Sequence, residues 1–257
     1  MAKLEAKHLP RKNEHVQKLA KMLDDAAEQA RRQTRQKKTF SPSSLLYGSA
    51  VCARRWYYHF DGAPSVDTTE SLNFQIMNSG TDAHARIQTL LEKATVLDVA
   101  EQEITASDPP IRGFLDAKIT VEDKEFVVEI KTTSQESWVF RRASMKPVDY
   151  HRLQLLIYMW ILEIEDGLFI YQNRNTLEQL YIPITMNEDN KKFLEDSLEW
   201  LRSVRKAYDD RTLPRRPFKE GRNKTVCPQC PFYNYCWEVD DREGEVTLPR
   251  MQKYNGR

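Results

Sequence analysis

Residues 113–131 read GFLDAKITVEDKEFVVEIK, two alternating runs joined by a polar turn. Period-two alternation predicts a β-hairpin with strands over residues 112–121 and 125–132. With the turn at residues 122–125, Val121 falls opposite Phe126, Ile119 opposite Val128 and Ala117 opposite Ile130. That face is wholly apolar. The other face pairs Asp116 with Lys131 and Lys118 with Glu129, and a slip of one residue would mix the two sets. The hydrophobic pattern therefore gathers Asp116, Glu129 and Lys131 on one face. One reading is a solvated salt-bridge ladder, which is common in antiparallel pairs. The other is a ligand site: the bulky apolar neighbours mark a central hairpin, where a polar face needs ligands or a metal. Gly113 also leaves room for close approach beside Asp116.

Outward from the hairpin, residues 96–105 read as a further strand, and residues 135–144 as a weak helix. Pro147 opens a strongly apolar helix through DYHRLQLLIYMWILEIE, closed at Asp166-Gly167. LFIYQN and LEQLYIPIT read as two strands, and residues 187–210 as a long amphipathic helix. Upstream, residues 71–94 look helical with an interruption at Asn78-Ser-Gly, after which Thr81 caps a new start. LLYGSAVCARRWYYHF reads as one helix capped by Ser43, and residues 13–36 as an exposed helix. This order implies an α/β fold, one mixed sheet with helices on both faces.

Chemically, two hard carboxylates on adjacent strands suit Mg²⁺ or Mn²⁺. Such a cation activates water and neutralises a phosphate, and a lysine on the same face can stabilise developing negative charge. Gln154 and Tyr158 share a face of the helix after the hairpin, and Tyr150 extends it by a turn. Gln154 either satisfies a core carbonyl or holds the lysine or a phosphate. His84 is either structural or an added nitrogen ligand, which would tilt the site toward Mn²⁺.

Gly113-Phe-Leu-Asp116, Glu129-Ile-Lys131 and Gln154-Leu-Leu-Ile-Tyr158, preceded by His84, resemble the RecB-like branch of the PD-(D/E)XK nucleases. The resemblance implies a restriction-endonuclease-like mixed central sheet flanked by helices, and metal-dependent cleavage of DNA. By the same resemblance, His84, Asp116, Glu129 and the backbone carbonyl of Ile130 are expected metal ligands. Lys131, Gln154 and Tyr158 join the two acids as catalytic residues. Glu103, on the preceding strand, is expected near a second metal.

Only four cysteines occur: Cys52, Cys227, Cys230 and Cys236. In a reducing compartment they are not expected as disulfides. One upstream cysteine followed by C-x₂-C-x₅-C is similar to the iron–sulfur members of that branch, found among CRISPR-associated exonucleases, AddB nuclease domains and phage recombination nucleases. The implied cofactor is a [4Fe-4S] cluster clasping the N- and C-terminal parts. Zinc is the alternative, since four thiolates also complete a tetrahedral site. Ala53 stands where the pattern commonly has proline, and Leu115 where the superfamily's name has one.

The resemblance covers roughly residues 40–238. The expected organisation is a basic helical extension over residues 1–38, a nuclease domain over residues 39–240 and a polar tail over residues 241–257. Within the nuclease domain, Cys52 and residues 226–238 form the cluster part. The chain of 257 residues carries 30% charged and 40% hydrophobic residues, with a net charge of +1. No apolar run of about 18 residues and no apolar leader occurs, so neither membrane span nor secretion is expected. A cytoplasmic protein, in a bacterium or in the host of a virus, follows.

Basic residues cluster at Arg31, Arg32, Arg35, Lys37 and Lys38, and again at Arg211, Arg215, Arg216, Lys219, Arg222 and Lys224. These are either solvated surfaces or a nucleic-acid path. Arg54, Arg55 and Tyr57 beside Cys52, with Tyr150, either pack around the cluster or line a single-strand path. The functional expectation is an exonuclease or single-strand-preferring nuclease. Its partners would be DNA with a single-stranded end or flap, and recombination or replication proteins. The alternative is a non-catalytic DNA-binding or scaffold protein retaining the fold.

Overall fold

A computed structural model describes residues 13–29, 36–66, 71–218 and 225–252. Of the two basic clusters, Arg31, Arg32, Arg35, Lys219, Arg222 and Lys224 lie outside the described residues. The elements are α1 (Glu14–Gln29), α2 (Ala53–Asp61), α3 (Ser71–Lys93), β1 (Leu97–Ala106), β2 (Ile111–Val121), β3 (Lys124–Thr133), α4 (Gln135–Ser144), α5 (Asp149–Leu162), β4 (Asp166–Asn173), β5 (Gln179–Thr185) and α6 (Glu188–Asp209). Every strand expected from alternation is present. The sheet runs β1-β2-β3-β4-β5, antiparallel except for the parallel pair β3–β4. A parallel neighbour requires a crossover, and α4 and α5 supply it between β3 and β4.

Helices cover both faces. On one, Ile87 of α3 packs with Ala117, Ile119, Val128, Ile130 and Ile170. On the other, Leu155, Leu156 and Met159 of α5 and Leu198 and Leu201 of α6 pack with Leu115, Val127 and Phe169.

Three local expectations differ. The hairpin turn is two residues, Glu122 and Asp123, and Val121 pairs with Lys124, Ile119 with Phe126 and Ala117 with Val128. The register is thus displaced by two from the one expected. Side chains alternate with period two, so an even displacement leaves the same residues on the same face. Helix α3 runs through Asn78-Ser-Gly80 without a break. One glycine costs a helix interior only about 1 kcal/mol, less than ending the helix there. Residues 45–52 are not α-helical: Leu46 and Gly48 adopt left-handed φ of 59° and 53°, Gly48–Val51 form only a 3-10 turn, and α2 begins after Cys52. The expected cap at Ser43 is absent, because Ser43 lies inside a short 3-10 turn, Pro42–Ser44.

Of the stretch expected as a polar tail, residues 241–252 are described and pack against the domain. Trp200 Nε1 donates to Pro249 O (2.8 Å), Met251 is buried and its N–H donates to Val51 O (3.0 Å). Arg54 of α2 joins this stretch to the domain. Its five donors meet Tyr58 Oη (2.6 Å), Pro214 O (3.2 Å), Glu243 O (3.1 Å), Asp240 Oδ2 (3.2 Å) and Arg242 O (2.7 Å).

Helix α5 approaches the sheet over two glycines. A Cβ on Gly113 of β2 would lie 2.5 Å from Tyr158 Oη, and one on Gly167 of β4 would lie 2.7 Å from Met159 Sδ and 3.0 Å from Leu155 Cδ2. Gly167→Ala forces those two side chains aside, so urea unfolding should show a loss of about 1–3 kcal/mol, the usual cost of overpacking.

Candidate active site

Strands β2 and β3 part company at Asp116. Their last pair is Ala117 with Val128, and beyond it the Ile130 N–H donates to Asp116 Oδ2 (2.7 Å) instead of to a backbone carbonyl. Leu115 packs on the α5 side while Ala117 packs on the α3 side, so the alternation breaks at Asp116. On β1, Glu101 takes a left-handed φ of 52°, between the partners of Leu115 and Ala117. The kink brings the Asp116 carboxylate to an opening between the two faces, where it is 8% exposed.

Glu129 is fully buried on β3. Lys131, two residues on, forms an ion pair with Glu129 Oε1, yet neither Glu129 oxygen accepts a hydrogen bond of normal geometry. A buried carboxylate without donors is costly unless a cation joins it. The site residues gathered by the sequence pattern, Asp116, Glu129 and Lys131, do meet.

From the α3 side, His84 Nδ1 lies 3.3 Å from Asp116 Oδ1. His84, Asp116 and Glu101 each offer a ligand atom, all within 4.8 Å of one another. Gln88, one turn after His84, donates from Nε2 to Asp116 O (2.8 Å) and Glu101 Oε1 (2.8 Å), tying helix to strands. Glu101 and Gln88 were not expected. Glu103 was, but it faces outward in an exposed ion pair with Arg112 (2.9 Å). Nothing in the local sequence separates the two glutamates; the left-handed residue in β1 does.

From the α5 side, Gln154 and Tyr158 are buried. The Tyr158 phenol oxygen takes up the space left by Gly113 and interacts with the Gln154 amide and the Phe114 N–H. Tyr150 is half-buried, packs edge-on against Tyr47 (5.2 Å between ring centres) and feels the Lys131 charge.

The electrostatics follow from two acids sharing a dry site. Burial pushes Glu129 up, and the Asp116 charge adds to it, to about 8 despite Lys131. Burial would also raise Asp116, but the His84 hydrogen bond, the Lys131 charge and the Ile130 N–H outweigh it and hold it below its usual range. Burial would lower Lys131, but Glu129 and Asp116 outweigh it and keep it an ammonium. Burial and the Glu129 charge raise Tyr158, so it keeps its O–H.

The four cysteines line one cavity with Arg55, Arg216 and Trp237, away from the carboxylates. Cys52 precedes α2, and the N–H groups of Arg55 and Arg54 reach its sulfur; Cys230 takes the Phe232 N–H and Cys227 interacts with Trp237. Burial pushes Cys52 up to about 12 and Cys227 to about 11, while these donors favour the thiolates. All four are free and half-buried. Of the expected DNA contacts, Arg54 and Tyr57 are buried. Arg54 has every donor engaged, and Tyr57 packs on Tyr58 and Tyr208, so neither offers itself to a strand. Arg55 faces the cysteines; only Tyr150 of the four lies beside the carboxylates.

A search of curated proteins finds no match. Among solved structures, SSO0001 is 18% identical, with 86% of this chain and 94% of that one covered, at a TM-score of 0.41. An alkaline exonuclease, LHK-Exo from Laribacter hongkongensis, is 11% identical, with 68% and 92% covered, at a TM-score of 0.51. LHK-Exo in complex with dAMP gives 15% identity, 52% and 69% coverage and a TM-score of 0.42. At 11% identity the likeness to LHK-Exo shows a shared fold. The model of the PD-(D/E)XK nuclease superfamily matches residues 4–237, nearly the whole chain. With its five-stranded mixed sheet, flanking helices and clustered acids, this chain belongs to the PD-(D/E)XK nuclease superfamily.

Proposed function

We propose that this protein is a Mg²⁺- or Mn²⁺-dependent deoxyribonuclease that hydrolyses phosphodiester bonds, working as an exonuclease on DNA with a single-stranded end or flap. Recombination, replication, repair or CRISPR adaptation would use such an activity. The observation that carries the reading is the fully buried Glu129, paired with Lys131 and beside Asp116, with neither oxygen accepting a hydrogen bond of normal geometry. In this reading His84, Asp116, Glu129 and the Ile130 carbonyl hold the cation, and Glu101 joins them on the strength of its distance from His84 and Asp116. A divalent cation there supplies Lewis acidity and a bound water of lowered pKa.

The chain's own groups do the rest. Lys131 orients the attacking water and stabilises negative charge developing on the phosphate. Gln154 and Tyr158 hold the floor of the site, and Tyr150 borders the path of the strand.

At the cysteines we place an iron–sulfur cluster. The resemblance of Cys52 and the C-x₂-C-x₅-C trio to the iron–sulfur members carries that choice, with zinc on the same four thiolates as the alternative. The backbone donors directed at Cys52 and Cys230 suit a thiolate group.

Purified protein should degrade single-stranded, flap or duplex DNA in Mn²⁺ or Mg²⁺ and stop on adding a chelator. Asp116→Ala should lower the rate by about a hundredfold or more, on the scale of losing one transition-state contact. Absence of cleavage on all three substrates would favour the scaffold reading.

The raised Glu129 has a further consequence. Between its ordinary value of 4.5 and about 8 the folded protein binds a proton that the unfolded chain has lost. Metal-free protein should therefore lose stability as pH rises through that window, and Mn²⁺ should offset the loss, increasingly so toward pH 8. Melting curves with and without Mn²⁺ from pH 5 to 9 measure both.

A further inference from the structure

Among the described residues, one cation of the cysteine cavity has no counter-charge. Arg55 lines it together with Cys52, Cys227, Cys230 and Cys236. Its Nε is shut off from solvent and has no hydrogen-bond acceptor. Its electrostatic partners there are Cys230 and Cys52, and its guanidinium also rests 5.6 Å from the Trp56 ring centre. The two other arginines of the cavity are engaged. Arg54 has its five acceptors, and Arg216 donates to the carbonyls of Cys236 (2.6 Å) and Asp240 (2.5 Å). Among the described residues no carboxylate pairs with Arg55. A buried guanidinium nitrogen without an acceptor destabilises a fold unless something anionic completes it. Four neutral thiols do not; four thiolates around a metal group carry excess negative charge beside it.

Resting on the metal reading of the cysteines given above, we infer that Arg55 is the positioning counter-charge of that group. Its Nε–H donates to sulfur, and its charge favours the more negative state of the group. In an iron–sulfur cluster that is the reduced state, so Arg55 raises the reduction potential. Arg55 is thus a cluster residue rather than a DNA contact. It also makes the cavity asymmetric: the Cys52–Cys230 side has the guanidinium, while Trp237 adjoins Cys227.

The test uses full-length protein purified without oxygen, as wild type, Arg55→Gln and Arg55→Lys. Iron, acid-labile sulfide and zinc are measured per chain, followed by chelator titration, the reduction midpoint and melting in the loaded and metal-free forms. The expected result is that Arg55→Gln loses metal about 10–100-fold more readily, with a more negative midpoint, and Arg55→Lys lies between. Metal-free Arg55→Gln should melt no lower than metal-free wild type, because it sheds an unpaired buried cation. Equal retention and midpoint in all three proteins, or an equal drop in melting temperature in both forms, overturns the inference while leaving the cysteine reading intact. Wild type that holds neither iron, sulfide nor zinc removes both.

Discussion

Two carboxyl groups shut away from water, within reach of one another, cannot both be charged without help. Asp116 and Glu129 stand in that relation, and much of the surrounding structure serves to hold them there. Lys131 arrives on the same strand face as Glu129, the Ile130 N–H leaves the sheet ladder to bind Asp116, and His84 and Gln88 reach over from α3. Each of these groups favours the ionised form of Asp116 or fixes its position. None gives Glu129 a proper donor. Lys131 alone does not outweigh burial and the Asp116 charge, so Glu129 favours a proton, or a further cation, which couples the fold to the chemistry.

Close approach is the second constraint. Helix α5 brings Gln154 and Tyr158 to the back of the acids because β2 and β4 present glycines to it, one on each side of β3. The phenol of Tyr158 sits where any side chain at position 113 would be. The interval between Gly113 and Asp116 therefore sets two things: where α5 rests and where the carboxylate emerges. In the strand between those glycines, Val127 and Glu129 face α5 in turn, one as core and one as site.

Much of this was legible in the sequence, for a physical reason. A helix that buries one face must repeat with period 3.6, as α6 does through Phe193, Leu194, Leu198, Leu201 and Val204, while α5, buried from Leu153 to Met159, showed itself by a nearly unbroken apolar run. The hairpin register was displaced by two because the turn is tighter than its charged residues suggest, with Glu122 in a left-handed φ of 55°. Parity survived, and with it the meeting of Asp116, Glu129 and Lys131. What sequence could not convey depends on single backbone irregularities. Glu101 rather than Glu103 lies beside His84 and Asp116, and Glu101 is the left-handed residue of β1. Adjacent arginines on α2 point about 100° apart, which sends Arg54 into a carbonyl cage and Arg55 toward sulfur.

The cage around Arg54 bears on how the chain is made. Four of its five acceptors belong to residues 214–243, some 160 to 189 positions downstream. While the polypeptide is still emerging from the ribosome, α2 has its guanidinium but not yet those partners. The sheet can pair and α5 can dock first, since all their residues precede position 186. The tie between α2 and residues 214–243 therefore waits for those residues, while Phe40, paired with Ile111 at the start of β2, does not.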